Sequence, residues 1–321
     1  MKVLVTGGAG FIGSNLVHAL MNDDRITAVK VLDNLETGRF ANISAFKNHN
    51  KFEFIEGDIR NYGICLGAAE GIDIISHQAA LGSVPRSVKD PVTTHEVNAT
   101  GTLNIFNAAR ENKIKRVVYA ASSSTYGDHP GLPKVEDKIG SPISPYGVTK
   151  LVNELYAKVF AQLYQMDFIG LRYFNVYGPH QNPAGPYAAV IPLFIKSILE
   201  NESPIIYGAG DTSRDFTFVD DVVQANLLSM FTGNTAAVNQ VYNIAKGEQT
   251  SLNELFDTLK NISGKDIKAT HGPERSGDIK HSLADVSKAK ELLGYNPCTS
   301  PADGLRKTFD WYKKNSLIFA A

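Results

Sequence analysis

Short apolar runs alternate with longer stretches of helical period through the first half of the chain. Val3-Leu4-Val5 has the length of a strand. It gives way to a glycine-rich turn, Gly7 to Gly13, and then to an apolar-periodic stretch over residues 16–20 that reads as a helix. Further strands are predicted at 28–32, 52–55, 72–76, 116–121 and 168–173. A long helical region covers about 92–112, its apolar face carried by Val97, Thr100, Leu103, Ile105 and Phe106. Ser144-Pro145 opens a second long helix that continues through Leu155, Val159 and Leu163. Strands alternating with helices in this way predict an α/β fold, a Rossmann-type doubly wound parallel sheet.

After Tyr173 the composition shifts to a Pro/Gly/Asn-rich loop that runs to Pro186. Beyond it helices are predicted at 189–200, 220–230, 252–262 and 302–314, and strands at 205–207 and 240–244. The expectation is a smaller α/β domain made of 175–218 and 247–321, with 1–174 rejoined by about 219–246 in the larger one. In the last helix Leu305, Phe309 and Tyr312 point inward, and Trp311 and the tail 317–321 read as packing groups.

Composition narrows the function classes. A chain of 321 residues can bury one large α/β domain or a large and a smaller one. The net charge is −1 and no basic stripe stands out, which argues against a nucleic-acid partner. Cys65 and Cys298, the two cysteines, lie far apart and lack metal-ligand spacing, so neither a disulfide framework nor a metal site is expected. No apolar run reaches transmembrane length, and the first strand begins at residue 2, which leaves no room for a signal peptide. The expected location is the cytoplasm.

The strand–turn–helix order around Gly7, Gly10 and Gly13 carries chemistry. Unpaired backbone N–H groups and the positive end of a helix suit a pyrophosphate. Gly7 lets the chain turn, Gly10 admits the phosphates, and Gly13 lets the helix lie close to the strand. The second strand ends at Asp33, twenty residues past Gly13, where a carboxylate meets ribose hydroxyls and repels a 2′-phosphate. The pattern points to NAD rather than NADP. Asp58-Ile59, at the end of the third strand, can bracket an adenine or, alternatively, place a carboxylate on the next helix N-terminus.

The other strand ends add candidates, because ligands of open parallel sheets bind at that edge. Small residues follow the fourth strand, suiting close passage of a cofactor, and His77 reads as a hydrogen-bonded packing histidine. Ser83 and Arg86 are substrate-site candidates, and Asn98 a supporting amide on the long helix. Ser122-Ser123-Ser124 closes the fifth strand. Tyr146 and Lys150, four apart, share one helix face. An ammonium near a phenol favours the phenolate, and a cationic nicotinamide ring favours it further, so the tyrosine is placed to act as a base. Arg214 and Arg275 match diphosphate oxygens, or else pair with Asp215 and Asp278 at the surface.

The Gly-x-x-Gly-x-x-Gly spacing resembles the short-chain dehydrogenase/reductase superfamily, and Thr6-Gly7-Gly8-Ala9-Gly10-Phe11-Ile12-Gly13 resembles its extended branch. Segments 79–87, 120–127, 171–176, 213–216 and 281–285 carry the likeness through nearly the whole chain. The sequence is similar to UDP-sugar 4-epimerases, most of all to UDP-N-acetylglucosamine 4-epimerases. The resemblance implies Tyr146 as catalytic base with Lys150 on the nicotinamide ribose, and Ser123 and Ser122 ahead of Ser124 on the sugar O4. For NAD it implies Gly7, Gly10, Phe11, Ile12, Gly13, Asp33, Asn34, Gly38, Asp58, Ile59, Gln78, Ala79, Ala80 and Tyr173. For the UDP-sugar it implies Ser83, Asn175, Ala189, Val190, Tyr207, Arg214, Arg275 and Asp278. Ser282, four past Asp278, falls where glucose-restricted members resemble one another in a bulky tyrosine; a serine leaves space for an N-acetyl group.

The resemblance thus implies an interconversion of UDP-GlcNAc and UDP-GalNAc, with room for UDP-Glc and UDP-Gal, through a transient 4-keto sugar and with retained NAD. A homodimer pairing the two long helices is also implied. Two other readings stand beside it. A 4,6-dehydratase or decarboxylase could share the scaffold, but dehydratases need an Asp-Glu pair where this chain has Ser and Thr. A non-catalytic NAD-binding regulator usually loses the Tyr or the Lys, and both are present.

Overall fold

The sheet at the centre of the computed structural model, which describes residues 1–183, 188–274 and 280–315, has seven strands and is parallel throughout. The first half of the chain gives β1 (Lys2–Thr6), α1 (Phe11–Met21), β2 (Ala28–Asp33), β3 (Phe52–Glu56), α2 (Tyr62–Ala68), β4 (Ile74–His77), α3 (Val84–Lys89), α4 (Pro91–His95), α5 (Gly101–Glu111), β5 (Arg116–Ser122), α6 (Pro145–Tyr164) and β6 (Asp167–Tyr173). The second half gives β7 (Val176–Tyr177), α7 (Val190–Glu200), β8 (Ile205–Tyr207), β9 (Ser213–Arg214), β10 (Thr217–Phe218), α8 (Val219–Phe231) and β11 (Gln240–Ile244). It ends with β12 (Thr250–Ser251), α9 (Leu252–Ser263), β13 (Thr270–Gly272), α10 (Ser287–Leu293) and α11 (Pro301–Lys314).

The strand order β11-β6-β5-β4-β1-β2-β3 makes β1 and β4 neighbours at the point where the winding reverses, and ligands of such sheets bind there. Thr6 lies level with both Leu32 and His77, so the turn after β1, Asp33 and Gln78 emerge side by side. Ser122 is level with Tyr173 at the ends of β5 and β6.

Three apolar cores hold the elements. Leu16, Val17 and Leu20 of α1 and Val222 of α8 cover one face of the sheet, joined by Ala289 and Leu293 of α10. Ile105 and Phe106 of α5, with Ala157 and Phe160 of α6, cover the other. A smaller core gathers Phe194 and Ile198 of α7, Leu255 and Leu259 of α9, and Leu305 and Phe309 of α11. Tyr312 is buried in that core and Trp311 is packed against it, while the tail 317–321 lies outside the described residues. No helix among the described residues is long and apolar enough to cross a membrane.

The structure differs from the periodicity in several places. Residues 81–87 read as a loop from their small and polar composition, but Val84–Lys89 is helical: the Ser83 side chain accepts the Arg86 N–H and Pro85 sits in the first turn, a start signal hidden in small polar residues. The single helix expected over 92–112 is α4 and α5 joined by a wide π turn, Glu96–Thr100. That turn carries the buried Asn98, which accepts the Leu81 N–H at 2.8 Å and donates to the Leu81 carbonyl at 3.2 Å and to Thr149 Oγ1 at 3.3 Å. Helix α1 starts at Phe11, directly on the turn. The seven-residue α2 and α10 and the two-residue strands are too short to show a period.

Candidate active site

The glycine-rich turn is built by close approach. Gly7 has φ +68°, and a Cβ there would stand 2.6 Å from the Ala79 nitrogen. A Cβ on Gly13 would stand 2.1 Å from the Gly7 carbonyl oxygen, so only glycine lets α1 pack on the turn. Gly10 precedes α1 with no side chain capping the helix, which leaves first-turn N–H groups for a ligand. Gly7 and residues 10–13 form the floor of a cavity of about 910 Å³ along the sheet's carboxyl edge, large enough for a dinucleotide.

Asp33 is buried at the end of β2. Its Oδ2 accepts the Ala9 N–H at 2.9 Å and its Oδ1 the Leu35 N–H at 2.8 Å. Burial pushes its carboxyl up from the ordinary value, while these N–H groups favour the carboxylate. Asp58 is held differently: the Arg60 guanidinium, at 2.6 Å, keeps its carboxyl down at about 2, and Asn34 Nδ2 donates to it at 3.1 Å. The helix-capping alternative for Asp58 fails, because Asn61 accepts the Ile64 N–H and caps α2. Asn34, Gly38, Asp58 and Ile59 all line the cavity. A bare helix start, glycines that admit a backbone-hugging ligand and a buried carboxylate at the ribose position fit a dinucleotide.

Behind the cavity the wall is a closed polar ring. Gln78 Nε2 donates to Ser76 Oγ and Asn226 Oδ1 at 2.9 and 3.0 Å, Tyr173 Oη donates to Gln78 Oε1 at 3.0 Å, and Asn226 Nδ2 donates to Tyr173 Oη at 2.9 Å. Ala79 and Ala80 line the cavity in front of it. His77 is buried. Thr102 Oγ1 donates to the Asn98 carbonyl and must accept from His77 Nε2–H, while Thr6 Oγ1 accepts the Ala79 N–H and donates to Nδ1. Burial holds the ring neutral, its pKa down at about 3. It is a packing group that ties β1 and the cofactor turn to α5.

Ser144 caps α6 and Pro145 opens it, placing Tyr146 and Lys150 at the cavity wall beside Ser122 and Ser123. Here the structure corrects part of the expectation from spacing. Lys150 Nζ donates to the Ala120 carbonyl at 2.8 Å and lies 5.9 Å from the centre of the Tyr146 ring. Burial pushes the Tyr146 phenol up from its ordinary value, and the Ser122 hydroxyl works in the other direction. Burial also pulls the Lys150 ammonium down to about 8, opposed by Glu154 one turn along the helix. Without a cofactor, these residues keep Tyr146 protonated at neutral pH.

Ser83, Asn175 and Ala189 also line the cavity. Ser124, Val190, Tyr207, Arg214 and Ser282 are not on its walls. Tyr207 ends β8 opposite Gly272, and Val190 begins α7. Arg214 does not take Asp215 as its counter-ion: its Nη1 donates to the carbonyls of Ser213 and Lys280 at 2.9 and 3.2 Å, while the buried Asp215 accepts the N–H groups of Lys246, Gly247 and Ala284. The Ser282 N–H donates to the Ser213 carbonyl at 3.1 Å, so Ser282 lies beside β9, the strand that carries Arg214. Arg275 and Asp278 lie outside the described residues. Among the described residues no group of three or more His, Cys, Asp or Glu side chains is arranged to hold a metal ion.

The cavity also has walls that the sequence did not announce: Arg39 and Asn42 on one side, His180, Gln181 and Asn182 on the other. No motif marks them, since they meet only across the folded chain.

Comparison with known proteins agrees with this geometry. The profile of the NAD dependent epimerase/dehydratase family matches residues 3–245. A putative UDP-glucose 4-epimerase of Methanocaldococcus jannaschii is 39% identical over 98% of this chain and 99% of its own. The solved structure of a UDP-N-acetylglucosamine 4-epimerase from Methanobrevibacter ruminantium M1, in complex with UDP-N-acetylmuramic acid, is 40% identical with a TM-score of 0.92, covering 98% of both chains. A UDP-glucuronic acid 4-epimerase from Bacillus cereus, in complex with UDP-glucuronic acid and NAD, is 34% identical with a TM-score of 0.90, covering 98% of this chain and 100% of its own.

Proposed function

The chain belongs to the NAD dependent epimerase/dehydratase family and is an NAD-dependent UDP-sugar 4-epimerase, and on that premise we propose that it interconverts UDP-GlcNAc and UDP-GalNAc, with room for UDP-Glc and UDP-Gal. The choice of sugar rests on Ser282, a small side chain beside the Ser213-Arg214 strand, at the position where the resemblance implies a bulky tyrosine in glucose-restricted members. The likeness to a UDP-N-acetylglucosamine 4-epimerase supports the same choice.

NAD held on the glycine-rich turn by Gly7, Gly10, Gly13 and Asp33 would supply the hydride acceptor for C4 of the sugar and the hydride donor for its return to the opposite face. The protein's own part is proton transfer and holding. Tyr146 takes the proton of the 4-hydroxyl as hydride leaves C4, and gives it back as the 4-keto sugar is reduced. Ser122 and Ser123 hydrogen-bond the oxygen at C4. Lys150 holds the nicotinamide ribose and adds positive charge near the phenol. Asp33 and Asp58 hold the adenosine end, together with Asn34, Gly38 and Ile59. Asn175 holds the diphosphate and Ala189 lies along the uridine, both on the cavity wall; Arg214 is assigned to the diphosphate, and Val190 and Tyr207 to the uridine, on the family resemblance and not on the cavity lining. With the nucleotide anchored and the sugar held loosely, one site presents both faces of C4.

We further propose that 1–174 with 219–246 form the NAD-binding domain, and 175–218 with 247–321 the UDP-sugar domain, from which α10 reaches back to the sheet. Leu155, Val159 and Leu163 form an exposed apolar stripe on α6, beside Val88 and Val92, and fit a second copy of the chain.

Ser282→Tyr tests the sugar assignment. It is expected to lower kcat/KM for UDP-GlcNAc by at least about tenfold and to leave UDP-Glc nearly unchanged. An unaltered ratio between the two sugars overturns it.

A further inference from the structure

We propose that Arg39 and Asn182 form a strap across the dinucleotide, so that NAD leaves only when their hydrogen bond opens. The inference rests on the cofactor, not on which sugar is turned over.

Two segments far apart in the chain rise on either side of the cofactor floor. On one side the Arg39 N–H and Asn42 Nδ2 both donate to the Ala9 carbonyl, at 3.0 and 2.9 Å, which fixes residues 38–42 on the glycine-rich turn. On the other, Asn15 Nδ2 donates to the Phe11 carbonyl at 2.9 Å and to the Pro179 carbonyl at 3.0 Å, which fixes Pro179 over the first turns of α1. Arg39 Nη2 then donates to Asn182 Oδ1 at 3.2 Å. The contacts close a ring: turn, residues 38–42, Arg39, Asn182, Pro179, Asn15, α1. Gly10 to Gly13, Arg39, Asn42 and residues 180–182 all line the same cavity. A pyrophosphate seated on the turn lies inside that ring.

The strap is backed from behind but is not rigid. Trp311 of α11 packs on His180 with ring centres 5.1 Å apart, and the Tyr312 hydroxyl donates to the Gln181 carbonyl. His180 Nδ1 and Gln181 Oε1 are nevertheless buried without a hydrogen-bond partner. Each such atom makes the closed arrangement less favourable, so this segment opens more readily than the glycine turn does. An epimerase that takes hydride from a sugar and returns it to the same sugar gains nothing by exchanging its cofactor. A strap that delays release serves that chemistry.

The test follows the cofactor without any sugar present. The holoenzyme is loaded with radiolabelled NAD and chased with unlabelled NAD, and protein-bound label is followed for wild type, Arg39→Ala, Asn182→Ala and the double variant. Each single variant is expected to release label about tenfold faster or more, and the double variant no faster than the quicker single one. Release from Asn182→Ala at the wild-type rate overturns the strap, as does a double variant in which the two effects multiply. Because no sugar enters the assay, a wrong sugar assignment leaves its outcome untouched.

Discussion

At Tyr146 burial and catalysis pull in opposite directions. The surroundings push the phenol up, and the amine of Lys150 is bonded to Ala120 rather than to the phenol. In the proposed mechanism the ionised base therefore depends on the cationic ring that bound NAD⁺ would supply, together with the Lys150 charge. A difference titration at 295 nm, wild type against Tyr146→Phe, should show Tyr146 ionising at lower pH in the NAD⁺ enzyme than in the NADH enzyme. Equal titrations would contradict the assignment. Burial lowers the Lys150 pKa to about 8, so in the cofactor-free protein the ammonium is present below that pH and lost above it. Turnover of Tyr146→Phe is expected to fall by roughly 10²–10⁴-fold, measured with saturating UDP-sugar. Residues of this kind were legible in the sequence, because Tyr146 and Lys150 are one helical turn apart and Asp33 sits a fixed distance past the glycines. Arg39 and Asn182 were not, since the contact that gives them meaning spans 143 residues.

At the scale of elements, α6 is anchored one turn beyond Lys150. Glu154 of α6 and Arg172 of β6 form a two-bonded pair, at 2.9 and 2.7 Å, with side chains 8% and 4% exposed. Arg172 also donates to the Glu136 carbonyl at 3.0 Å and lies 4.8 Å from the centre of the Tyr126 ring. Tyr126 donates to Asn243 of β11 at 2.6 Å. Glu154→Ala leaves a buried guanidinium without its counter-charge and is expected to cost about 3–5 kcal/mol in urea unfolding. Glu154→Leu combined with Arg172→Met should cost less than the single change, because no charge stays buried. A single variant as stable as wild type would contradict this account. The pair was not visible in the sequence, although α6 and β6 were, because period reveals elements and not the partners they choose. Helix α3 is hidden for a different reason: its start signal, Ser83 with Pro85, lies in a stretch whose composition reads as loop.

For the whole molecule, the winding order places the carboxyl ends of β1 to β6 on one edge of one sheet, and the cavity runs along that edge, while β8 with Tyr207 stands in a separate two-stranded sheet. The opposite surface of α6 is the unexplained apolar one: Leu155, Val159 and Leu163 are 56%, 46% and 67% exposed at four-residue spacing. Val159→Glu with Leu163→Glu is expected to give a monomer by sedimentation where wild type sediments as a dimer; a monomeric wild type would contradict the proposed pairing. The proposed activity is C4 epimerisation of the acetylated sugar by a protein that keeps its NAD. Incubating the purified protein with UDP-GlcNAc, with no NAD added, and following the anomeric protons by NMR tests it most directly. UDP-GalNAc is expected to appear and to accumulate to a fixed ratio. A protein with NAD bound that leaves UDP-GlcNAc unchanged would contradict it.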